Sequence, residues 1–137
     1  MKRILVIAIA ICTVYSCKDN TKQEKDLLNQ ILKVHDGVMN NDEALMKNKA
    51  LMDSLLKTTM KDSSEKLNVK GIDLRLTAAG EAMENWMGKF QPDMTGKSHD
   101  EVIKYYTEQK KQITSVDSQI NVVIKEANQY LSTHKIK

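Results

Sequence analysis

Proline is almost missing from this chain: Pro92 is the only one in 137 residues. Proline breaks helix interiors, so its scarcity leaves long helices unopposed. Aromatic residues make up only 4%, which leaves little of the material that strands favour. Five glycines occur, and none forms the glycine-rich loop that cradles phosphates. Cys12 and Cys17 are the only cysteines. They form no Cys-x-x-Cys-His run, so covalent c-type haem is excluded. His35, His99 and His134 have no four-residue spacing between them, which disfavours a zinc site on one helix face. No apolar run reaches the about 20 residues needed to span a bilayer as a helix. What remains is 41% hydrophobic and 28% charged, the balance of a globular chain of one-domain size. Abundant Lys, Leu, Gln, Glu and Met point to an all-α fold.

The first sixteen residues depart from that average. Met1-Lys2-Arg3 is basic, and Ile4 to Tyr15 is apolar apart from Thr13. A basic start, a short apolar run and a small residue match the order of an export signal. Val14-Tyr15-Ser16-Cys17 resembles a bacterial lipobox, in which a small residue precedes a Cys that takes a diacylglycerol before cleavage. Tyr15 stands where a small residue is usual. The resemblance implies a signal peptide over 1–16, a lipidated Cys17 and a short tether over 17–22. The alternative for Cys17, a buried core thiol, sits badly with polar neighbours Ser16, Lys18, Asp19 and Asn20. Cleavage would remove Cys12 and leave no intrachain disulfide. Mature lipoproteins carry two or three acyl chains, enough for lasting anchorage where one chain is marginal. Lys18-Asp19 resembles part of the surface-export signal of Bacteroidota lipoproteins, with Asn20 where a further acid is common. The expected address is therefore an exported, membrane-anchored one at the outer membrane, facing the periplasm or the cell surface. The formal charge of +3 drops to +1 without Lys2 and Arg3. No basic cluster with interleaved aromatics appears, so no nucleic acid is expected as a partner.

Residues 23–134 read as an elongated up-down-up three-helix bundle with coiled-coil-like packing. The expected helices cover about 23–61, 64–91 and 99–133. In the third, Val102, Tyr106, Gln109, Ile113, Val116, Ile120, Val123, Ala127 and Tyr130 alternate by four and three residues, the mark of a helix seam. Ser98 followed by Glu101 predicts a capping box. The first helix repeats the alternation at Leu27, Ile31, Val34, Val38, Asn41, Leu45, Asn48, Met52 and Leu55. A neighbouring stripe of Leu28, Leu32, His35, Met39, Met46, Leu56 and Met60 suits a helix with two partners. Gly37 and Asn40-Asn41 predict a kink near 37–42 or a division into two helices. The second helix shows Ile72, Leu76, Ala79, Met83, Trp86 and Phe90, and Pro92 ends it. Ile31, Val38, Met83, Trp86, Phe90, Tyr106, Ile113, Ile120 and Val123 are the expected core. Gln109, Asn41 and Asn48 at seam positions are candidates for setting register.

Val34 to Met46, VHDGVMNNDEALM, and Ala82 to Asp93, AMENWMGKFQPD, resemble a family of small helical Bacteroidota lipoproteins. Its members are often labelled, misleadingly, as viral A-type inclusion proteins. Gly37 stands where that family commonly has an acid, and Asn40 where it often has Pro. The resemblance implies a lipoprotein and a helical bundle, and it implies no reaction.

One constellation carries chemistry. His35 and Met39 are one turn apart, and so are Met83 and Met87; Met46 and Trp86 lie near them in the pattern. Thioethers select Cu(I), imidazole can join them, and an indole face attracts cations. The competing reading is that these Met residues fill the core. The carboxylate pairs Asp42-Glu43, Asp100-Glu101 and Glu81 with Glu84 read as solvated faces or caps rather than acid/base pairs. The first expectation is a non-enzymatic, lipid-anchored envelope protein with no cofactor. It would touch the membrane through Cys17 and act through a helical partner or self-association. The alternative is an envelope protein binding copper or haem through His35, Met39, Met83 and Met87.

Overall fold

The computed structural model describes residues 13–58 and 62–134. Most of the expected signal peptide over 1–16 lies outside them, as do Met60 and the side chains of Cys17, Lys18 and Asp19. The described residues form four helices: α1 (Thr13–Asn40), α2 (Asp42–Lys57), α3 (Ser63–Lys89) and α4 (His99–Thr133). They contain no strand. Helices α1 and α2 act as one bent helix, so three rods pack together. The longest, α4, runs for about 52 Å at 1.5 Å per residue. None of the described helices is long and apolar enough to cross a membrane.

The bend falls inside the expected 37–42 window and occupies one residue, Asn41. Its N–H bonds to the Val38 carbonyl at 2.9 Å, a tighter i,i−3 closure, and its carbonyl then accepts from Leu45 N–H at 3.0 Å. Asn favours such local breaks because its side chain competes for partners. Here Asn41 Nδ2 donates across the bundle to Asn121 Oδ1 at 3.1 Å. The expected tether over 17–22 has a helical backbone instead, since α1 already runs from Thr13. No Gly or Pro interrupts the polar stretch before Leu27, so the helix propagates through it.

The other helix ends follow from capping. Asp62 caps α3 by accepting from Ser64 N–H at 2.8 Å. The Ser64 hydroxyl, which donates to the same carboxylate oxygen at 2.9 Å, and then that N–H hold the Asp62 carboxyl below its usual range. Helix α3 stops at Lys89, two residues short of the expected end, because Phe90 is already extended ahead of Pro92. Gly96 turns the chain with φ of +82°, a left-handed conformation that glycine adopts freely. The expected capping box is complete: Glu101 Oε2 accepts from Ser98 N–H at 2.9 Å, and Ser98 Oγ accepts from Glu101 N–H.

All nine residues of the α4 seam are buried. Their partner seam on α1 and α2 buries Ile31, Val38, Leu45, Asn48 and Met52. The two seams coincide position for position when the first is advanced by 75 residues. That is the separation of Glu24 and His99, which meet at 2.8 Å. Three further contacts between the same rods share a separation of 80: Gln30 with Lys110, Asn41 with Asn121, and Asn48 with Asn128. A constant separation along the rod means parallel helices without slippage. Helix α3 runs the other way, since Glu65 meets Tyr130, Arg75 meets Glu126 and Gln91 meets Tyr105. It contributes Val69, Ile72, Leu76, Ala79, Met83 and Trp86 to the core. Of the expected core residues only Phe90 is half-buried, because it follows the end of α3 and stacks on Trp86 at 4.8 Å.

Two phenols fasten the ends of α4. Tyr106 Oη donates to the Pro92 carbonyl at 2.8 Å, and Tyr130 Oη donates to Glu65 Oε1 at 3.1 Å. Burial, then the bond to Glu65, pushes the Tyr130 phenol up to about 12. A folded value above the unfolded one of about 10 gives stability that is whole below pH 10. That stability is lost as pH rises through about 12. Ultraviolet titration of tyrosinate should therefore show one late phenol near pH 12 in the native protein, absent in Tyr130→Phe. Denaturant midpoints of the parent should fall between pH 10 and 12.

Candidate functional site

Beside the bend at Asn41 a recess opens between the first rod and α3. Opposite it α3 carries Gly80, where an added Cβ would meet only Leu45 Cδ2, at 3.6 Å. The result is a cavity of about 260 Å³ between α1, α2 and α3. Val38, Leu45 and Ile120, all buried, line it from the core side. Met39, Met46, Met83 and Met87 line it as well, with Asp42 and Glu84.

Four of the methionines thus meet at one place, as the pairing of the two helices predicts. They are not equivalent. Met83 is buried, whereas Met39, Met87 and Met46 are 42%, 40% and 63% exposed. Core filling accounts for Met52 and Met83, and it does not account for the other three. The bent rod packs against both α3 and α4, as its two stripes predict. Of the neighbouring stripe, Leu28 and Leu56 pack against the core and His35 is half-buried, whereas Leu32, Met39 and Met46 stay exposed.

His35 is not on the cavity wall. Its ring lies 6.0 Å from Trp86, and Nδ1 donates to Asp36 Oδ1 at 3.2 Å. From there a row of rings runs through Trp86, Phe90 and Tyr105 to Tyr106, with centroids 4.8, 6.3 and 5.8 Å apart. Trp86 Nε1 is buried without a hydrogen-bond partner among the described residues. The imidazole thus serves the aromatic row, and the thioethers face the cavity without it. The described residues hold no cluster of three or more His, Cys, Asp or Glu suited to a metal ion. Each described histidine instead touches a carboxylate: His35 with Asp36, His99 with Glu24 and His134 with Glu65.

Asp42 and Glu84 have no ion-pair or hydrogen-bonding side-chain partner among the described residues. Compare Lys49 nearby, which joins Asp53 at 2.6 Å and Asp73 at 2.9 Å. Hydrogen bonding to Asp53 raises the Lys49 pKa, and the same contact lowers that of Asp53. Sequence reasoning grouped Asp42 and Glu84 with solvated faces and missed their place at the cavity. One signal was present: Asp42 continues the four-three stripe of His35, Met39 and Met46. Taken together, the site is an open, methionine-rich recess edged by unpaired negative charge. Methionine suits surfaces that adapt to an apolar partner. No family model, curated protein or solved structure matches the chain.

Proposed function

We propose that this protein is a lipid-anchored, non-enzymatic module of the bacterial cell envelope that works by binding another helical surface. The observation that carries the binding part is the recess at the bend. Exposed Met39, Met46 and Met87 gather there, and Leu32 extends the apolar line along α1. Exposed apolar side chains grouped in one place mark interaction surfaces. The anchoring part rests on sequence: the basic start, the apolar run and Val14-Tyr15-Ser16-Cys17, together with the likeness to small helical Bacteroidota lipoproteins. On this reading residues 1–16 are removed, Cys17 carries the lipids, and Lys18-Asp19 bears on sorting at the outer membrane. Helix α1 then leads from the anchor into the bundle, so the α3–α4 turn faces the membrane, because Glu24 and His99 share that end.

A second reading draws on the same recess. Four thioethers around one cavity offer a soft site for Cu(I). It takes Met39, Met83 and Met87 from the expected set and leaves His35 aside. Titration of the full chain with Cu(I) separates the two. One-to-one binding abolished by Met39→Ala with Met87→Ala, and kept in His35→Ala, favours copper. Absence of binding removes that reading.

For the anchor, mass spectrometry of the wild type should find a chain that begins at Cys17 and carries acyl chains there, whereas Cys17→Ser should keep residues 1–16 and carry no lipid. A wild-type Cys17 without lipid would contradict lipid anchoring.

A further inference from the structure

Helix α3 carries two exposed features with mirrored spacing. Toward its start, Leu67, Lys70 and Leu74 follow at intervals of three and four, so they share one strip. Leu67 is 70% exposed and Leu74 57%. Toward its end, Gly80, Glu84 and Met87 follow at four and three, and all three line the methionine recess. Laid antiparallel, the two sets match at every position. Leu67 faces Met87, Lys70 faces Glu84, and Leu74 faces the open floor at Gly80.

We propose that the Leu67–Lys70–Leu74 ridge of one copy docks antiparallel into the methionine recess of a second copy. The inference rests on the anchored interaction module proposed above and names its partner. Charge argues for it. Neither the Lys70 ammonium nor the Glu84 carboxylate has a side-chain partner among the described residues, and Asp42 on the recess wall has none either. A second copy in this register brings the Lys70 ammonium to the Glu84 carboxylate. Shape argues for it too. The recess lacks a Cβ at Gly80, where Leu74 would enter, and flexible thioethers can close around both leucines.

Ridge and recess lie roughly 100° apart around α3 at 3.6 residues per turn. One two-fold contact cannot use both, so the docking is head-to-tail. Antiparallel docking also inverts the second rod. Anchored copies therefore meet across facing membranes, not upright side by side in one.

The test uses the full chain in vesicles of phosphatidylethanolamine and phosphatidylglycerol, treated with a carbodiimide that joins amine to carboxylate at zero length. Within one chain Lys70 and Glu84 are about 21 Å apart along the helix, so an amide between them must link two copies. Wild type should give that link. A ridge variant, Leu67→Ser with Leu74→Ser, and a recess variant, Met46→Ser with Met87→Ser, should each lose it at least tenfold. The changes are at exposed positions, and circular dichroism verifies that the helices persist. Mixing vesicles of the two variants should restore the link, with Lys70 coming from the recess variant and Glu84 from the ridge variant. Absence of the link in wild type, indifference to both variants, or no restoration on mixing would each overturn the proposal. Such a failure with lipid still found on Cys17 would leave the anchored-module reading standing.

Discussion

The parallel, unslipped seam between the bent first rod and α4 is the constraint on which the rest of the structure depends. Its apolar layers bury most of the residues that drive folding, and burial scales with area in any register that covers them. Area alone therefore does not choose among registers a heptad apart. Polar pairs do. Asn48 is buried, and its amide donates to Asn128 at 3.0 Å. A slip of one heptad keeps only one Asn–Asn pair: either Asn48 meets Asn121 and Asn41 loses its partner, or Asn41 meets Asn128 and the buried Asn48 amide is stranded. An unpaired buried polar group costs about 1–3 kcal/mol. Asn41 with Asn121 and Glu24 with His99 repeat the constraint along the rod.

The recess follows from the same constraint. Asn41 spends its side chain on Asn121, and the helix breaks there by one residue. Met39 and Met46 keep their four-three spacing across that break and line the recess beside it, where Gly80 leaves room on α3. Register, bend and recess are thus one feature seen at three scales. The price is apolar surface left in water. A chain that needed only a stable bundle would gain by covering it.

Much of the architecture was legible in the sequence. The α4 seam was complete, because four-three spacing over nine positions admits no other buried face. The Ser98–Glu101 cap and the bend near Asn41 were also readable from local chemistry. Val69, fully buried, was overlooked, although it sits three residues before Ile72 and continues the same alternation. The helical backbone over 17–22 was missed because polar tethers and exposed helix starts share a composition. Periodicity reports which face is apolar, not how far a neighbour turns toward it. For that reason Met39, Met46 and Met87 read as core or ligands, and His35 read as part of their group. Asn–Asn pairing across 80 residues is equally invisible to a local pattern.

Register is most directly measured by disulfide trapping between the paired rods, in a chain whose native cysteines are replaced by serine. Cysteines at Asn48 and Asn128 should join rapidly under mild oxidation, because the native side chains touch. Cysteines at Asn48 and Asn121 should not, since one heptad along α4 is about 10 Å. Rapid trapping of the second pair, or equal trapping of both, would contradict a fixed parallel register and with it the origin of the recess.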